Sequence, residues 1–144
     1  MAEAIFDALV AREGFSNLFQ TESAGTSDSH EGENYHPQTR RVCADHQFPM
    51  KGTSRPVRQE DFQNFDYILA MDESNYRNLK SMDSQGYAKL KIFYFRSFSS
   101  DENRTNMNVP DPYYGDAEDF DILFDLLSDC AEGLLKRIRA DRGI

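Results

Sequence analysis

The chain has no tryptophan and only two cysteines in 144 residues, and its 16 basic residues are outnumbered by 25 acids. Without tryptophan, the aromatic packing falls to seven Tyr and eleven Phe, a composition of globular rather than disordered chains. The net charge of -9 argues against nucleic acid or an anionic membrane surface as the main partner, although a local basic patch would be compatible with it. No run approaches the roughly 18 apolar residues of a membrane span. The N-terminus lacks the basic, apolar and small-residue succession of a signal peptide, so a cytoplasmic location is expected. Cys43 and Cys130 stand far apart, outside any Cys-x-x-Cys pattern, and read as small buried apolar residues on helices. His30, His36 and His46 do not share one helical face, so neither a metal site nor a cofactor is expected.

What is present fits one domain spanning 1–144, with 39% hydrophobic and 28% charged residues. Met1 to Arg12 reads as helix at once, with Ile5, Phe6, Leu9 and Val10 on one face and Gly14 as its stop. A helix beginning at the first residue, without a cap, suggests an element whose lead-in has been removed. Leu18–Ala24 reads as a short strand, followed by a polar, turn-rich loop over 25–34. Pro37 suits the first turn of a helix reaching about His46. Gln59–Phe65 is a helical turn, and Asp66–Met71, a short apolar run, has the look of a central parallel strand. Asp72 is a good N-cap for a helix through Tyr76 and Leu79. Lys89–Phe95 alternates like a strand at a sheet edge, and Asp116 to about Arg139 is one long amphipathic helix. Such alternation of helices and strands implies a parallel sheet covered on both faces, with ligands beyond the carboxyl ends of its strands. Only three strands are found in this reading.

One stretch suggests chemistry. In Val109-Pro-Asp-Pro-Tyr-Tyr-Gly115, prolines flank an acid, and two adjacent phenols and a glycine follow it. Proline fixes its own φ and biases the residue before it towards extended backbone, so Asp111 sits in a stiff, non-helical loop. A carboxyl held that rigidly suits proton transfer. The same residues also make ordinary surface turns.

Taken with Met-Ala-Glu-Ala-Ile-Phe at 1–6, Glu22-Ser-Ala-Gly-Thr26, Val57-Arg-Gln-Glu-Asp-Phe62, Phe65-Asp-Tyr-Ile-Leu69 and Met71-Asp-Glu-Ser-Asn75, the Asp111-Pro-Tyr-Tyr-Gly115 block makes the chain resemble the low-molecular-weight protein tyrosine phosphatases over nearly its whole length. The resemblance implies an α/β, flavodoxin-like three-layer α/β/α fold with a four-stranded parallel sheet. It further implies hydrolysis of phosphotyrosine proteins or small aryl phosphates through a cysteinyl-phosphate. In the family a first strand ends in a Cys-x5-Arg loop, and a helix like residues 1–12 follows directly. By resemblance Asp111 matches the general acid, Tyr113 and Tyr114 match aromatics beside the substrate pocket, and Ser23 matches a serine supporting the phosphate loop. A rim aromatic of other members falls near Ser29 and His30.

No Cys-x5-Arg occurs here, since Pro49 stands six positions after Cys43 and Lys136 six after Cys130. The expectation is therefore an N-terminally truncated phosphatase domain whose nucleophile is absent and whose activity alone is negligible. A pseudophosphatase or interaction module on the same fold is the alternative, and arsenate reduction is disfavoured by the lack of a cysteine relay. Loss of a central strand would leave the sheet marginal, or drive it to re-pair or to exchange strands with a second copy of the chain.

Overall fold

Helix formation begins at Ala2. The computed structural model describes residues 1–26, 36–48, 55–101, 106–112 and 114–144. Helix α1, Ala2–Arg12, buries Ala4, Ile5, Phe6, Leu9 and Val10 on the face that the apolar spacing predicts. It ends in a Schellman turn, in which Phe15 N–H donates to Val10 O at 2.8 Å and Gly14 N–H to Ala11 O at 3.1 Å. Gly14 takes φ +80°, where a side chain would be strained.

The strand expected at Leu18–Ala24 is replaced by a 3-10 turn, Ser16–Leu18, and an irregular stretch. Extended residues become a strand only when their N–H and C=O groups find a ladder partner. Here Gly25 is the residue that does, forming an isolated parallel bridge with Pro56 in which Gly25 N–H donates to Arg55 O at 2.8 Å and Val57 N–H to Gly25 O at 2.9 Å.

Helix α2, Pro37–Asp45, has its proline in the first turn, where a missing N–H costs nothing, and buries Val42 and Cys43. Its ends are fastened to the last helix by ring stacking: His36 lies on Phe120 at 4.8 Å and His46 on Phe124 at 3.9 Å. Helix α3, Gln59–Asn64, is a single capped element, with Asp61 accepting from Arg58 N–H at 2.8 Å.

Strand β1, Ile68–Ala70, runs parallel to β2, Ile92–Tyr94, in the register Ile68↔Ile92, Leu69↔Phe93, Ala70↔Tyr94. Between them lies α4, Glu73–Met82, whose cap is Asp72 as expected, accepting from Asn75 N–H at 2.7 Å. The alternation along β1 sorts the core into two. Tyr67, Leu69 and Met71 pack with α1 and the last helix, whereas Ile68 and Ala70 pack with Phe62, Leu79, Ala88 and Ile92 on the α3 and α4 side. Helices thus cover both faces of the parallel sheet.

The second strand is shorter than its pattern suggests. The Asp83 carboxylate accepts from Tyr87 N–H at 3.0 Å and Ala88 N–H at 2.8 Å, winding 83–88 into turns. Ala88 is thereby plugged into the core while Leu90 is left 86% exposed. Past Tyr94 the chain enters a 3-10 turn, Phe95–Phe98, that buries Phe95.

Helix α5, Ala117–Arg142, outlasts its expected end by three residues. Asp116 and Asp119 cap its start reciprocally, each carboxylate accepting from the other's N–H at 3.1 Å. Its buried stripe includes Phe120, Leu123, Leu127, Leu134 and Ile138, with Cys130 fully enclosed. No helix among the described residues is long and apolar enough to cross a membrane.

Candidate active site

The loop that carries Asp111 is tied to the carboxyl end of β1. The residue after the strand, Met71, offers its carbonyl to Val109 N–H at 2.6 Å. Asn108, one residue earlier in the same loop, accepts from Glu73 N–H through Oδ1 at 2.8 Å. Its own carbonyl accepts from Arg96 Nη1 at 2.6 Å, and its N–H donates to Asn106 Oδ1 at 2.9 Å. Val109 is buried in the α1 and α5 core, so the loop is pinned by packing as well as by hydrogen bonds. Asp111 then emerges exposed, two residues beyond this anchor. Gly115 N–H closes a turn back onto Pro112 O at 2.7 Å and delivers the chain to the Asp116 cap of α5.

The segment bearing Ser23 reaches the same junction. Asn75, in the first turn of α4, donates through Nδ2 to Thr26 Oγ1 at 3.1 Å. Below it, Arg55 donates to Glu22 Oε2 at 3.1 Å and forks onto both Asp61 oxygens at 3.0 and 3.2 Å. The Asp61 hydrogen bond raises the Arg55 guanidinium above its ordinary value, ahead of an opposing desolvation effect. Burial pushes the Asp61 carboxyl up, but the Arg55 and Arg58 hydrogen bonds and their charges outweigh it and hold it below the ordinary range. Ser23 itself is exposed, two residues before the Gly25 bridge.

Of the residues singled out from the sequence, Asp111 and the Ser23 segment are thus both tied to the β1–α4 junction. Tyr114 is 97% exposed. Tyr113, Ser29 and His30 lie outside the described residues. Asn108, Arg96, Thr26 and Arg55 were not singled out; only Thr26 belongs to a block that the resemblance marks, and Asn108 gives no sequence signal beyond a polar loop.

Cys43 and Cys130 are buried cysteines outside any disulfide, and burial pushes the Cys43 thiol up, away from the thiolate form that acts as a nucleophile. Among the described residues, no three His, Cys, Asp or Glu side chains are grouped to hold a metal. The cleft of about 470 Å³ between α1 and α5 is lined by Leu9, Arg12, Lys136 and Arg139, towards the end of α5 remote from Asp111. Both of its arginines are engaged locally, Arg12 with Glu132 at 3.9 Å and Arg139 over the Phe15 ring at 5.0 Å. We therefore place the site at the β1–α4 junction and not in that cleft.

Comparison with known proteins gives the family and the fold. Residues 1–143 match the family model described as low molecular weight phosphotyrosine protein phosphatase. The low molecular weight phosphotyrosine protein phosphatase of Schizosaccharomyces pombe is 36% identical over 139 residues, covering 96% of this chain and 87% of the relative. That of Homo sapiens is 33% identical over 138 residues, covering 95% and 85%. Among solved structures, a protein tyrosine phosphatase from Entamoeba histolytica with Hepes in the active site superposes with a TM-score of 0.87 at 34% identity, covering 99% of this chain and 88% of the other. YfkJ from Bacillus subtilis gives 0.87 at 31% identity, covering 98% and 86%. The fold is accordingly the α/β flavodoxin-like arrangement of these neighbours, and the chain belongs to the low molecular weight phosphotyrosine protein phosphatase family.

Proposed function

We propose that the chain carries the general-acid half of a phosphotyrosine phosphatase site, with Asp111 protonating the leaving phenolate and then activating water. The observation that carries this reading is the anchoring of the Asp111 loop at the carboxyl end of β1, through Val109 to Met71 and Asn108 to Glu73, in a chain whose relatives are named phosphotyrosine phosphatases. Ligands of open parallel sheets sit at that edge, and a general acid needs to reach the leaving oxygen from a fixed position. The substrate class is a phosphotyrosine protein or a small aryl phosphate. By the family resemblance, Tyr113 and Tyr114 are assigned to the substrate's aryl ring and Ser23 to support of a phosphate-binding loop.

Turnover needs a thiolate and an anion cradle as well, and these 144 residues hold no Cys-x5-Arg. Alone they are expected not to hydrolyse p-nitrophenyl phosphate above background. The same chain extended upstream by a strand and Cys-x5-Arg loop of the kind the family carries is expected to hydrolyse it, and Asp111→Ala to depress that turnover. Full activity of the 144-residue chain would refute this. The alternative, a pseudophosphatase or interaction module on the same fold, accommodates the enclosure of both thiols equally. Upstream codons with a stop and no Cys-x5-Arg would select it. The one-domain organisation and cytoplasmic location remain part of the proposal. So does strand exchange between two copies, which draws support from β1, a strand laddered on one side only among the described residues.

A further inference from the structure

Val109 packing helps hold the Asp111 loop, and one residue, Asn108, joins the loop to two other elements, through its side chain and its backbone carbonyl. Glu73 is the first residue of α4, and its N–H is one of the amides that a helix cannot satisfy internally. The helix's own cap, Asp72, takes Asn75 N–H at 2.7 Å. Glu73 N–H is taken at 2.8 Å by Asn108 Oδ1, from a residue 35 positions further along the chain. The backbone of Asn108 meanwhile accepts from Arg96 at 2.6 Å, and Arg96 belongs to the turn that leaves β2. Immediately beyond, Val109 N–H donates to Met71 O at 2.6 Å. Asn108 is therefore where β1–α4, the turn after β2 and the acid loop meet.

We propose that Asn108 is a positioning residue for Asp111, the amide that sets where the acid stands relative to the carboxyl end of β1. This rests on the reading of Asp111 as general acid. The link between them is short and stiff. Three residues reach at most about 10 Å, Pro110 has a fixed φ, and Val109 and Asp111 both precede prolines and so are biased to extended backbone. Displacement at Asn108 is carried to the carboxyl instead of being absorbed in between.

Residue-resolved amide exchange on the 144-residue chain tests the clamp without needing turnover. In Asn108→Ala, exchange of Val109 N–H is expected to quicken about tenfold, the scale of one lost hydrogen bond, while the amides of α5 between Leu127 and Leu134 keep their rates. Asn108→Asp, which retains the accepting oxygen, is expected to stay within about twofold of the parent. Unchanged Val109 exchange in Asn108→Ala would overturn the proposal, as would an increase spread evenly over α5 or an Asp variant as fast as the Ala variant. Failure of the acid reading shows separately. In the upstream-extended chain, Asp111→Asn would then lower kcat/KM for phenyl phosphate no more than for p-nitrophenyl phosphate, whatever Asn108 does to Val109.

Discussion

Replacing Gly133 with alanine sets two physical effects against each other. Gly133 lies inside α5, where intrinsic propensity favours alanine by about 1 kcal/mol. The packing says the opposite. A Cβ there would be driven into the Phe98 carbonyl oxygen, with Phe98 C at 2.9 Å and Phe98 Cβ at 3.3 Å. The obstructing atoms are backbone, so no rotamer change relieves them, and α5 must part from the Phe95–Phe98 turn. Overpacking typically costs about 1–3 kcal/mol, and a backbone obstruction belongs at the upper end or above it. Net of propensity, Gly133→Ala is expected to destabilise the chain by about 2 kcal/mol, or roughly 6–8 °C in Tm for a domain of this size. Urea unfolding followed by far-ultraviolet circular dichroism measures this, with Gly86→Ala as control. Gly86 has φ +73° and nothing within 4 Å of its added Cβ, so that change reports backbone strain alone. The same turn carries Arg96, so Gly133→Ala is also expected to loosen Val109 N–H. Unchanged or increased stability would refute the close approach of α5 to this turn.

Two further outcomes follow from the Arg55 network and the half-open sheet. The Asp61 carboxyl titrates below its unfolded value, so its contribution is present above the ordinary aspartate range near pH 4 and fades as pH falls through the lower folded value. Asp61→Asn is therefore expected to be less stable than the parent at pH 7, with the gap closing in acid titrations monitored by urea midpoints; a gap that widens in acid would contradict the sign. Sedimentation equilibrium of the 144-residue chain is expected to show a concentration-dependent dimer, and an ideal monomer at all concentrations would remove strand exchange from the account.

Local signals proved readable. The α1 stripe, Pro37, the Asp72 cap and the α5 stripe are each fixed by residues within a turn or two of one another, so their chemistry is visible in the sequence itself. Strands were less legible, because a ladder is made by distant partners: residues 18–24 read as a strand in the sequence, yet among the described residues it is Gly25 that pairs, and Lys89–Lys91 are lost to turns organised by Asp83. At the site, the two prolines marked Asp111 as stiff. Nothing near Asn108 showed that its acceptor would serve an amide 35 positions away, nor that Arg96 would hold its carbonyl. Arg55 was hidden for the same reason, since its value lies in joining Glu22 to Asp61.

The central claim is that Asp111 is an acid that depends on a nucleophile these residues do not contain. Hydrolysis of p-nitrophenyl phosphate, compared between the 144-residue chain and the same chain extended upstream by a strand and Cys-x5-Arg loop of the kind the family carries, tests it most directly. The account predicts background rates for the first and turnover for the second that falls by about 10²–10⁴ in Asp111→Ala, the usual worth of a general acid. Robust turnover by the 144 residues alone, or an extended enzyme indifferent to Asp111→Ala, would contradict it.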